Sequence, residues 1–395
     1  MNEKLGSVRV DDRVANALGR GHPWIFREAL RFDKNREAPA TGDVVVVAGP
    51  KGEHLGIGLY DAESPLAVRL YDRAKGARLD AGWFRSAFAR SFAKRSRFGP
   101  ETTAYRLLNG EGDRVPGFVI DRYEHIAVLR TDGAASATWV SRLTPVLLEA
   151  LRPLGVTTLL LRSEGDADGR RVTRLGGGDA PDTIDVREHG MVMEVDLAFG
   201  QKTGAFLDQR ENRRRVREAC AGCKRMLNLY SYAGGFSIAA ALGGAVHTTS
   251  VDIAPKAHAS AQRSFRKNGL DVGTHTFVTA DVFSFLDAAA AKKDRWDLIV
   301  CDPPSFAPNE RSKKKALSAY ARLHRACAGL LAPGGALAAA SCSSHIGMDE
   351  FLGTLTDDHT GRSDLSVTEV FGPPSDHPST AFFSEGRYLK FVWLR

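Results

Sequence analysis

The stretch that decides the fold is LNLYSYAGGFSIAAA, residues 227–241. A strand-like apolar run leads into a turn containing Gly234 and Gly235, and a helical run follows. Ligands of open α/β sheets bind beyond the carboxyl ends of the strands, and glycine lets a ligand approach the backbone closely there. A glycine pair also fits an ordinary strand-to-helix turn, so the neighbouring strands must decide whether this one binds a ligand.

Strand-like and helical runs alternate from about residue 190 onward. The strand-like runs are RMLNLYSY (225–232), HTTSVD (247–252), THTFVTAD (274–281), WDLIVCD (296–302) and GALAAASCS (335–343). This alternation predicts a parallel sheet with helices on both faces. The ending TAFFSEGRYLKFVWLR (380–395) predicts an antiparallel hairpin around residues 384–386. A parallel sheet with such an end is the class I S-adenosylmethionine methyltransferase fold.

Acidic residues follow the second and third strands of this sheet. Asp252 is placed to accept hydrogen bonds from ribose hydroxyls, and Asp281 from an adenine amino group. Each aspartate alone also fits a helix N-cap. Three such strand ends in chain order, followed by Asp-Pro-Pro at the fourth, favour S-adenosylmethionine. NAD is the alternative, but its phosphate-binding glycine pattern is absent.

The N-terminal part of the chain differs from the rest in pattern and in charge. Residues 1–110 carry 19 Lys and Arg against 13 Asp and Glu, and the remainder carries 35 against 34. A basic module of short strands favours polyanion binding, although a solvated basic surface is the alternative. The phrase GHPWIF, residues 21–26, resembles the start of an RNA-binding PUA domain. We predict a PUA domain at 1–74, a central α+β domain at 75–188, with a loop at 166–181, and a methyltransferase domain at 189–395.

Composition excludes several classes of protein. The chain has 395 residues, 43% of them hydrophobic, and no apolar run near the roughly 20 residues of a membrane helix. The start MNEKLGSVRV lacks the apolar core of a secretory signal. Five cysteines without a disulfide-like framework fit the cytoplasm. Cys220 and Cys223 form a lone C-x-x-C, which predicts a structural pair and no metal site.

The Asp-Pro-Pro at residues 302–304 is compatible with two methyl-transfer chemistries. Enzymes that methylate exocyclic amines usually have Tyr or Phe directly after it, whereas here Ser305 comes first and Phe306 second. Methylation of pyrimidine carbon 5 instead needs a cysteine thiolate to attack carbon 6. Cys301 should point to the opposite face from Asp302 and is predicted to be a packing residue. Cys342 lies among Ser341, Ser343 and Ser344 at the end of the next strand, and is the predicted nucleophile.

Five phrases together carry a family resemblance: FLDQR, NLYSYAGGF, CDPPSF, SCSSH and DHPSTAFFSEGRYLK. They resemble the bacterial PUA-containing 23S ribosomal RNA cytosine-5 methyltransferases, over residues 9–395. The resemblance implies Cys342 as nucleophile and Asp302 as the group that binds the ring nitrogen and amino group of cytosine. The predicted cofactor-binding residues are Lys202, Thr203, Phe206, Asp208, Arg210, Asn228, Tyr230, Ser231, Gly234, Gly235, Asp252, Asp281, Val282 and Asp302. Other RNA cytosine-5 methyltransferases have a second cysteine where this chain has Ser305, so the group that assists product release stays unassigned.

Several alternatives stay open at this point. The predicted substrate is naked or partly assembled 23S ribosomal RNA, since the base must be unstacked to reach a thiol. Methylation of guanine or of an exocyclic amine is the alternative reaction, and an RNA-binding factor without activity is the non-enzymatic alternative. The basic run NERSKKK (309–315) fits either phosphate contacts or a mobile charged loop. The Arg213–Arg215 run predicts a solvated helix face, and a homodimer is left open.

Overall fold

The computed structural model describes residues 6–32, 37–166 and 168–395. Parts of the predicted PUA domain and one residue of the predicted 166–181 loop lie outside these residues. The chain divides into two compact units. The first unit comprises 1–184, 196–205 and 375–386, and the second comprises 185–195, 206–374 and 387–395.

Among its described residues, the N-terminal part of the first unit is a six-stranded sheet with one α-helix. Its elements are β1 (Gly6–Arg9), α1 (Asp12–Arg20), β2 (Trp24–Phe26), β3 (Arg31–Phe32), β4 (Val44–Ala48), β5 (His54–Tyr60) and β6 (Leu66–Asp72). The strand order is β2-β6-β5-β4-β1-β3. Helix α1 begins where the Asp11 side chain accepts from the Val14 amide, and it ends at left-handed Gly21. The predicted β-rich module is confirmed.

The central part of the first unit is a five-stranded sheet covered by helices. Its elements are α2 (Ala81–Ala93), β7 (Ala104–Asn109), β8 (Phe118–Tyr123), β9 (Ile126–Thr131), α3 (Ala134–Ala137), α4 (Val140–Leu151), β10 (Thr158–Arg162) and β11 (Val172–Gly177). The strand order is β11-β10-β9-β8-β7. Ile57 and Tyr71 of the N-terminal sheet pack in one hydrophobic core with Phe84 and Phe88 of α2. The two sheets of this unit therefore share a core, and the division into domains at residue 74 stays a prediction.

The prediction of a continuous loop at 166–181 was wrong for part of that segment. Strand β11 pairs antiparallel with β10 through a register shift between Leu159 and Leu160. It is an edge strand held by backbone hydrogen bonds, and most of its side chains are partly or fully exposed. Such a strand needs few large apolar residues, so its hydrophobic pattern did not reveal it.

A two-stranded sheet precedes the second unit's main sheet. It consists of β12 (Thr183–Glu188) and β13 (Met191–Asp196). Within the second unit, Glu194 of β13 accepts hydrogen bonds from Arg263 and Lys267. Burial opposes ionisation of Glu194, but these two cations lower its pKa to about 2. The pair of strands is thus attached to the unit by ionic contacts.

The second unit is a seven-stranded sheet with helices. Its elements are α5 (Arg210–Ala219), β14 (Arg225–Leu229), α6 (Gly235–Leu242), β15 (His247–Asp252), α7 (Pro255–Lys267), β16 (Thr276–Thr279), α8 (Val282–Ala291), β17 (Trp296–Cys301), α9 (Lys313–Gly329), β18 (Leu331–Ser341), α10 (Met348–Gly353), α11 (Asp357–Thr360), β19 (Val367–Phe371) and β20 (Lys390–Leu394). The order is β16-β15-β14-β17-β18-β20-β19. Strands β14 to β18 pair in parallel, and β20 pairs antiparallel with β18 and β19. The predicted parallel sheet with an antiparallel end is confirmed.

The prediction that residues 380–395 form that antiparallel pair by themselves was wrong. The antiparallel strand that pairs with β20 at the edge of the sheet is β19. Residues 384–387 form a short 3-10 turn instead of a hairpin tip. Residues 375–386 belong to the first unit, where the Phe383 ring packs edge-on against Trp24 at 4.8 Å. The aromatic run therefore packs against a distant tryptophan and does not extend the sheet.

Candidate methyl-transfer site

The turn after β14 carries polar atoms without partners. Tyr230 and Tyr232 have positive φ values of 57° and 45°, which is unusual for residues with side chains. Ser231 Oγ and Asn228 Oδ1 are buried and have no hydrogen-bond partner within the described part of the chain. The Asn228 Nδ2 donates to Ser237 Oγ at 2.9 Å. Buried unpaired oxygens are costly, so a ligand that hydrogen-bonds to Ser231 would stabilise this turn.

The two glycines of the turn are needed for packing. Gly234 has φ 75°, and a Cβ there would lie 2.8 Å from the Cβ of Ala261. A Cβ on Gly235 would lie 2.8 Å from Arg213 Cδ. Any side chain at these positions would push α5 or α7 away from the end of β14.

The carboxylates of Asp252 and Asp281 are both held at the ends of neighbouring strands. Asp252 accepts from the Tyr232 amide at 2.8 Å and from the Ala254 amide at 2.9 Å. Asp281 is the N-cap of α8 and accepts from the Ser284 amide at 2.9 Å, with buried Val282 next to it. A carboxylate has about four acceptor sites. Both side chains can therefore act as caps or turn acceptors and still bind ligand hydroxyl or amino groups.

The predicted cofactor residues of the 202–210 segment fall in both units. Thr203, in the first unit, is buried and donates to Asp121 Oδ2 at 2.5 Å, and Lys202 precedes it with φ 54°. In the second unit, the Phe206 ring lies 5.4 Å from the Tyr232 ring, next to the β14 turn.

The rest of that segment is fixed inside the second unit. Asp208 accepts from the Tyr388 hydroxyl at 2.7 Å, and Arg210 is fully buried. The prediction of a solvated face was wrong for Arg213, which is buried in a bidentate pair with Glu188. An arginine run reveals no such burial, because the partner lies on another element.

Asp302 stands directly after β17 and is held by a side chain from the 206–210 region. Gln209 Nε2 donates to Asp302 Oδ2 at 2.9 Å, and Asn212 Nδ2 donates to Gln209 Oε1 at 2.6 Å. Gln209 is 3% exposed. The sequence reasoning quoted Gln209 within FLDQR but gave it no role. The sequence offered no signal for this role, because Gln209 and Asp302 are 93 residues apart in the chain.

Cys342 lies just beyond β18, which pairs in parallel with β17. The Ser305 hydroxyl, three residues after Asp302, lies 3.0 Å from the Ser343 hydroxyl. The Tyr320 hydroxyl of α9 donates to Ser341 Oγ at 2.9 Å. The pKa of Tyr320 is raised, mainly by its burial and also by the nearby Cys342 and Asp302. The expectation that Cys342 would lie beside the Asp302 loop is confirmed.

The remaining four cysteines are buried. Cys301 is fully buried in the core of the second unit, where burial raises the pKa of its thiol. Its prediction as a packing residue is confirmed. Cys220 and Cys223 hydrogen-bond to each other, and this contact raises the pKa of the first and lowers that of the second.

Lys390 is a buried cation near Cys342 that sequence reasoning missed. Its Nζ donates to the backbone oxygens of Ser343 and Ile346, each at 2.6 Å, and the residue is 2% exposed. Burial lowers the Lys390 pKa to about 8, while Cys342 and Glu350 act in the opposite direction. All five residues of β20 are buried, and a lysine at the start of a strand does not by itself indicate burial.

The basic run at 309–315 comprises a 3-10 turn at Glu310–Ser312 and the first residues of α9. Asn309 and Ser312 make a reciprocal capping box, and Lys313 pairs with Glu350 at 2.8 Å. The segment thus begins a helix, and phosphate contacts from its basic side chains stay a prediction.

Comparison with known proteins decides the family. A family model described as S-adenosylmethionine-dependent methyltransferase matches residues 166–381, and a PUA-like domain model matches residues 8–73. The chain belongs to the S-adenosylmethionine-dependent methyltransferases. This family membership confirms the predicted cofactor and fold class, and NAD is set aside.

Relatives within this methyltransferase family align over almost the whole chain. The "Ribosomal RNA large subunit methyltransferase" of Deinococcus radiodurans is 38% identical, covering 98% of this chain and 97% of its own. The "Ribosomal RNA large subunit methyltransferase I" of Shewanella amazonensis is 34% identical over 96% of each chain. A solved methyltransferase structure in complex with SAH is 27% identical, with a TM-score of 0.85 over 99% of this chain and all of that one.

The residues at the ends of β14, β15 and β16 fit the methyl donor of this family. Asp252 and Asp281 supply acceptors for hydroxyl and amino groups, and Ser231 supplies a buried hydroxyl that has no partner among the described residues. In the described ranges, no helix is long and apolar enough to cross a membrane.

Proposed function

We propose that this chain transfers a methyl group to carbon 5 of a cytosine in 23S ribosomal RNA. The substrate RNA would be naked or partly assembled, and the reaction would take place in the cytoplasm. The observation that carries the proposal is the placement of Cys342 beside the Asp302 loop, linked by the 3.0 Å contact between Ser305 and Ser343. The names of the relatives from Deinococcus and Shewanella support the choice of RNA.

Cytosine carbon 5 is a weak nucleophile, and the two candidate catalytic residues address this weakness. The Cys342 thiolate forms a bond to carbon 6, and the ring electrons move toward carbon 5. Asp302, oriented by Gln209, donates its carboxyl proton to the ring nitrogen and accepts from the amino group, and both contacts favour this attack. S-adenosylmethionine supplies the electrophilic methyl group. Loss of the carbon-5 proton to a base then returns the electron pair that expels the thiolate.

The bound cofactor would be held by residues of the second unit at three strand ends. The polar contacts to the cofactor would come from Asp252, Asp281 and Ser231. The Phe206 and Tyr232 rings pack edge-to-face next to the β14 turn. Lys202 and Thr203 remain proposed cofactor residues.

Mass spectrometry of nucleosides tests the reaction. Unmodified 23S ribosomal RNA is incubated with the full chain and labelled S-adenosylmethionine, then digested. Labelled 5-methylcytidine is the expected product. A labelled guanosine derivative or a base methylated on its amino group would overturn the proposal and establish the alternative reaction. Absence of any label, together with absent cofactor binding, would support the non-enzymatic alternative.

A second measurement tests the covalent step. RNA containing 5-fluorocytidine lacks a removable proton at carbon 5, so the adduct with Cys342 should persist on a denaturing gel. We expect this complex with the wild-type chain and with Cys301→Ala, but not with Cys342→Ala. A complex that persists in Cys342→Ala would contradict the assignment.

A further inference from the structure

Lys390 is charged where its strand is otherwise apolar. The five residues of β20 are all buried, and the other four are Phe, Val, Trp and Leu. Burying an ammonium group is costly unless it is hydrogen-bonded or paired. Two backbone carbonyls accept from Nζ, both in the turn that follows Cys342. Within the described chain, no carboxylate forms an ion pair with Nζ. The acidic group of the neighbouring helix, Glu350, pairs with Lys313 instead.

Lys390 is also close to Cys342. Strands β18 and β20 pair so that Ser341 faces Lys390, and Cys342 is the next residue. A thiolate on Cys342 favours the charged form of Lys390. Because such coupling is reciprocal, the ammonium group favours the thiolate by the same free energy.

The other titratable groups around this pair do not replace Lys390. Asp302 after β17 and Glu350 of α10 are acidic, so they disfavour a thiolate. Tyr320 of α9 is a neutral donor to Ser341. His345 lies in the same turn as the Lys390 contacts, 3.5 Å from Glu310. Lys390 is therefore the cation that can balance the acidic side of the site, and a thiolate on Cys342 favours its charged form.

We propose that Lys390 is a positioning residue of the methyl-transfer site, whose ammonium group fixes the 343–346 turn and favours the thiolate form of Cys342. This inference rests on the role of Cys342 in the proposed function. A lysine that only held the turn would affect stability and leave the ionisation of Cys342 unchanged.

The experiment measures alkylation of Cys342 by iodoacetamide as a function of pH, with the modified peptide quantified by mass spectrometry. The other four cysteines are buried, so Cys342 should react first. The full chain is compared with Lys390→Met, Lys390→Arg and the control Lys292→Met, which removes an exposed lysine of the same unit. Calorimetry of S-adenosylmethionine binding reports whether each variant is folded.

The wild-type midpoint should lie below about 8.5, the ordinary pKa of a cysteine. Lys390→Met should raise the midpoint by about one pH unit and slow alkylation near pH 7 about tenfold. Lys390→Arg should restore the wild-type midpoint, and Lys292→Met should not change it. If Lys390→Met fails to bind the cofactor, Lys390→Gln, which keeps a hydrogen-bond donor, takes its place.

Three results would overturn the inference. The first is a wild-type midpoint at or above about 8.5, which can be measured without any variant. The second is an unchanged midpoint in the folded Lys390→Met or Lys390→Gln chain, and the third is a midpoint in Lys390→Arg that rises as much as in Lys390→Met. The proposed function fails separately. A shifted midpoint combined with methylated guanosine would retain the Lys390–Cys342 coupling and refute the cytosine reaction. Formation of 5-methylcytidine without a shift would do the opposite.

Discussion

The two halves of the sheet's carboxyl edge are built differently. At the end of β16, Asp281 is fixed by the amide of Ser284, three residues away, and at the end of β15 one Asp252 oxygen is fixed by the amide of Ala254. Beyond β17 and β18, Asp302 is held by Gln209, 93 residues away in the chain, and the turn after Cys342 is held by Lys390. The half with the proposed cofactor residues (the cofactor half) is fixed mainly by local backbone contacts. The half with the proposed catalytic residues (the acceptor half) is fixed by distant side chains.

This difference bears on how mutations should act. A carboxylate fixed by backbone amides keeps its position when distant side chains change. A catalytic group fixed by distant side chains loses its position when any one of them is removed. Variants of the acceptor half should therefore change catalysis strongly, and variants of the cofactor half should mainly change cofactor affinity.

The largest effect is expected for Cys342→Ala. Removal of the proposed nucleophile should lower methylation by about 10⁴-fold or more, while cofactor affinity stays within about twofold of wild type. The measurement is single-turnover methylation of RNA together with calorimetry. Cys301→Ala is the matched control, which should retain activity and lose about 1 kcal/mol of stability. Similar losses of activity in both variants would contradict the distinction between the two cysteines.

The next largest effect is expected for Asp302→Asn. A carboxamide can still contact the base but cannot give a proton to its ring nitrogen, so kcat/KM should fall about 10²- to 10³-fold. Gln209→Leu removes only the group that orients Asp302 and should cost about tenfold, mainly in kcat. Steady-state kinetics on the same RNA distinguish the two. A Gln209→Leu chain with unchanged kcat would show that Asp302 does not depend on its distant partner.

A smaller effect is expected in the cofactor half. Asp252→Asn should weaken S-adenosylmethionine binding about tenfold, since hydrogen bonds to a charged acceptor contribute about 1.5–3 kcal/mol. Asp281→Asn keeps the helix cap, whereas Asp281→Ala loses it and about 1 kcal/mol of stability. Calorimetry and thermal unfolding separate these contributions. Equal stability of the two Asp281 variants would refute the capping role.

The smallest effect on activity is expected for His324 of α9, which is fully buried behind Tyr320. Burial lowers the pKa of His324 to about 4 from the usual 6.5. As the pH falls below 6.5, the His324 side chain becomes protonated in the unfolded chain but stays neutral in the folded chain. The free energy of unfolding should therefore decrease as the pH falls from 6.5 to 4. His324→Gln should weaken this dependence in urea unfolding curves and leave methylation near pH 7.5 almost unchanged. An unaltered pH dependence in the variant would exclude His324 as the titrating group.

Much of the second unit could be predicted from the sequence. The strands β14 to β18 were found because short strand-like runs alternate with helical patterns along this part of the chain. Strand β11 and the β19–β20 pairing were not, because an edge strand has few apolar residues and the aromatic run at 380–383 packs elsewhere. The polar residues at the strand ends were located because the alternating pattern shows where each strand stops. These residues are Asp252, Asp281, Asp302 and Cys342.

The sequence by itself determined the family, the methyl donor and the residues at the strand ends, because each of these depends on short local phrases. Only the tertiary structure decided that Arg213 is buried against Glu188, that Gln209 orients Asp302 and that Lys390 stands beside Cys342. These contacts join residues far apart in the chain. Charge and polarity at a single position do not indicate burial, since burial depends on which other elements pack there.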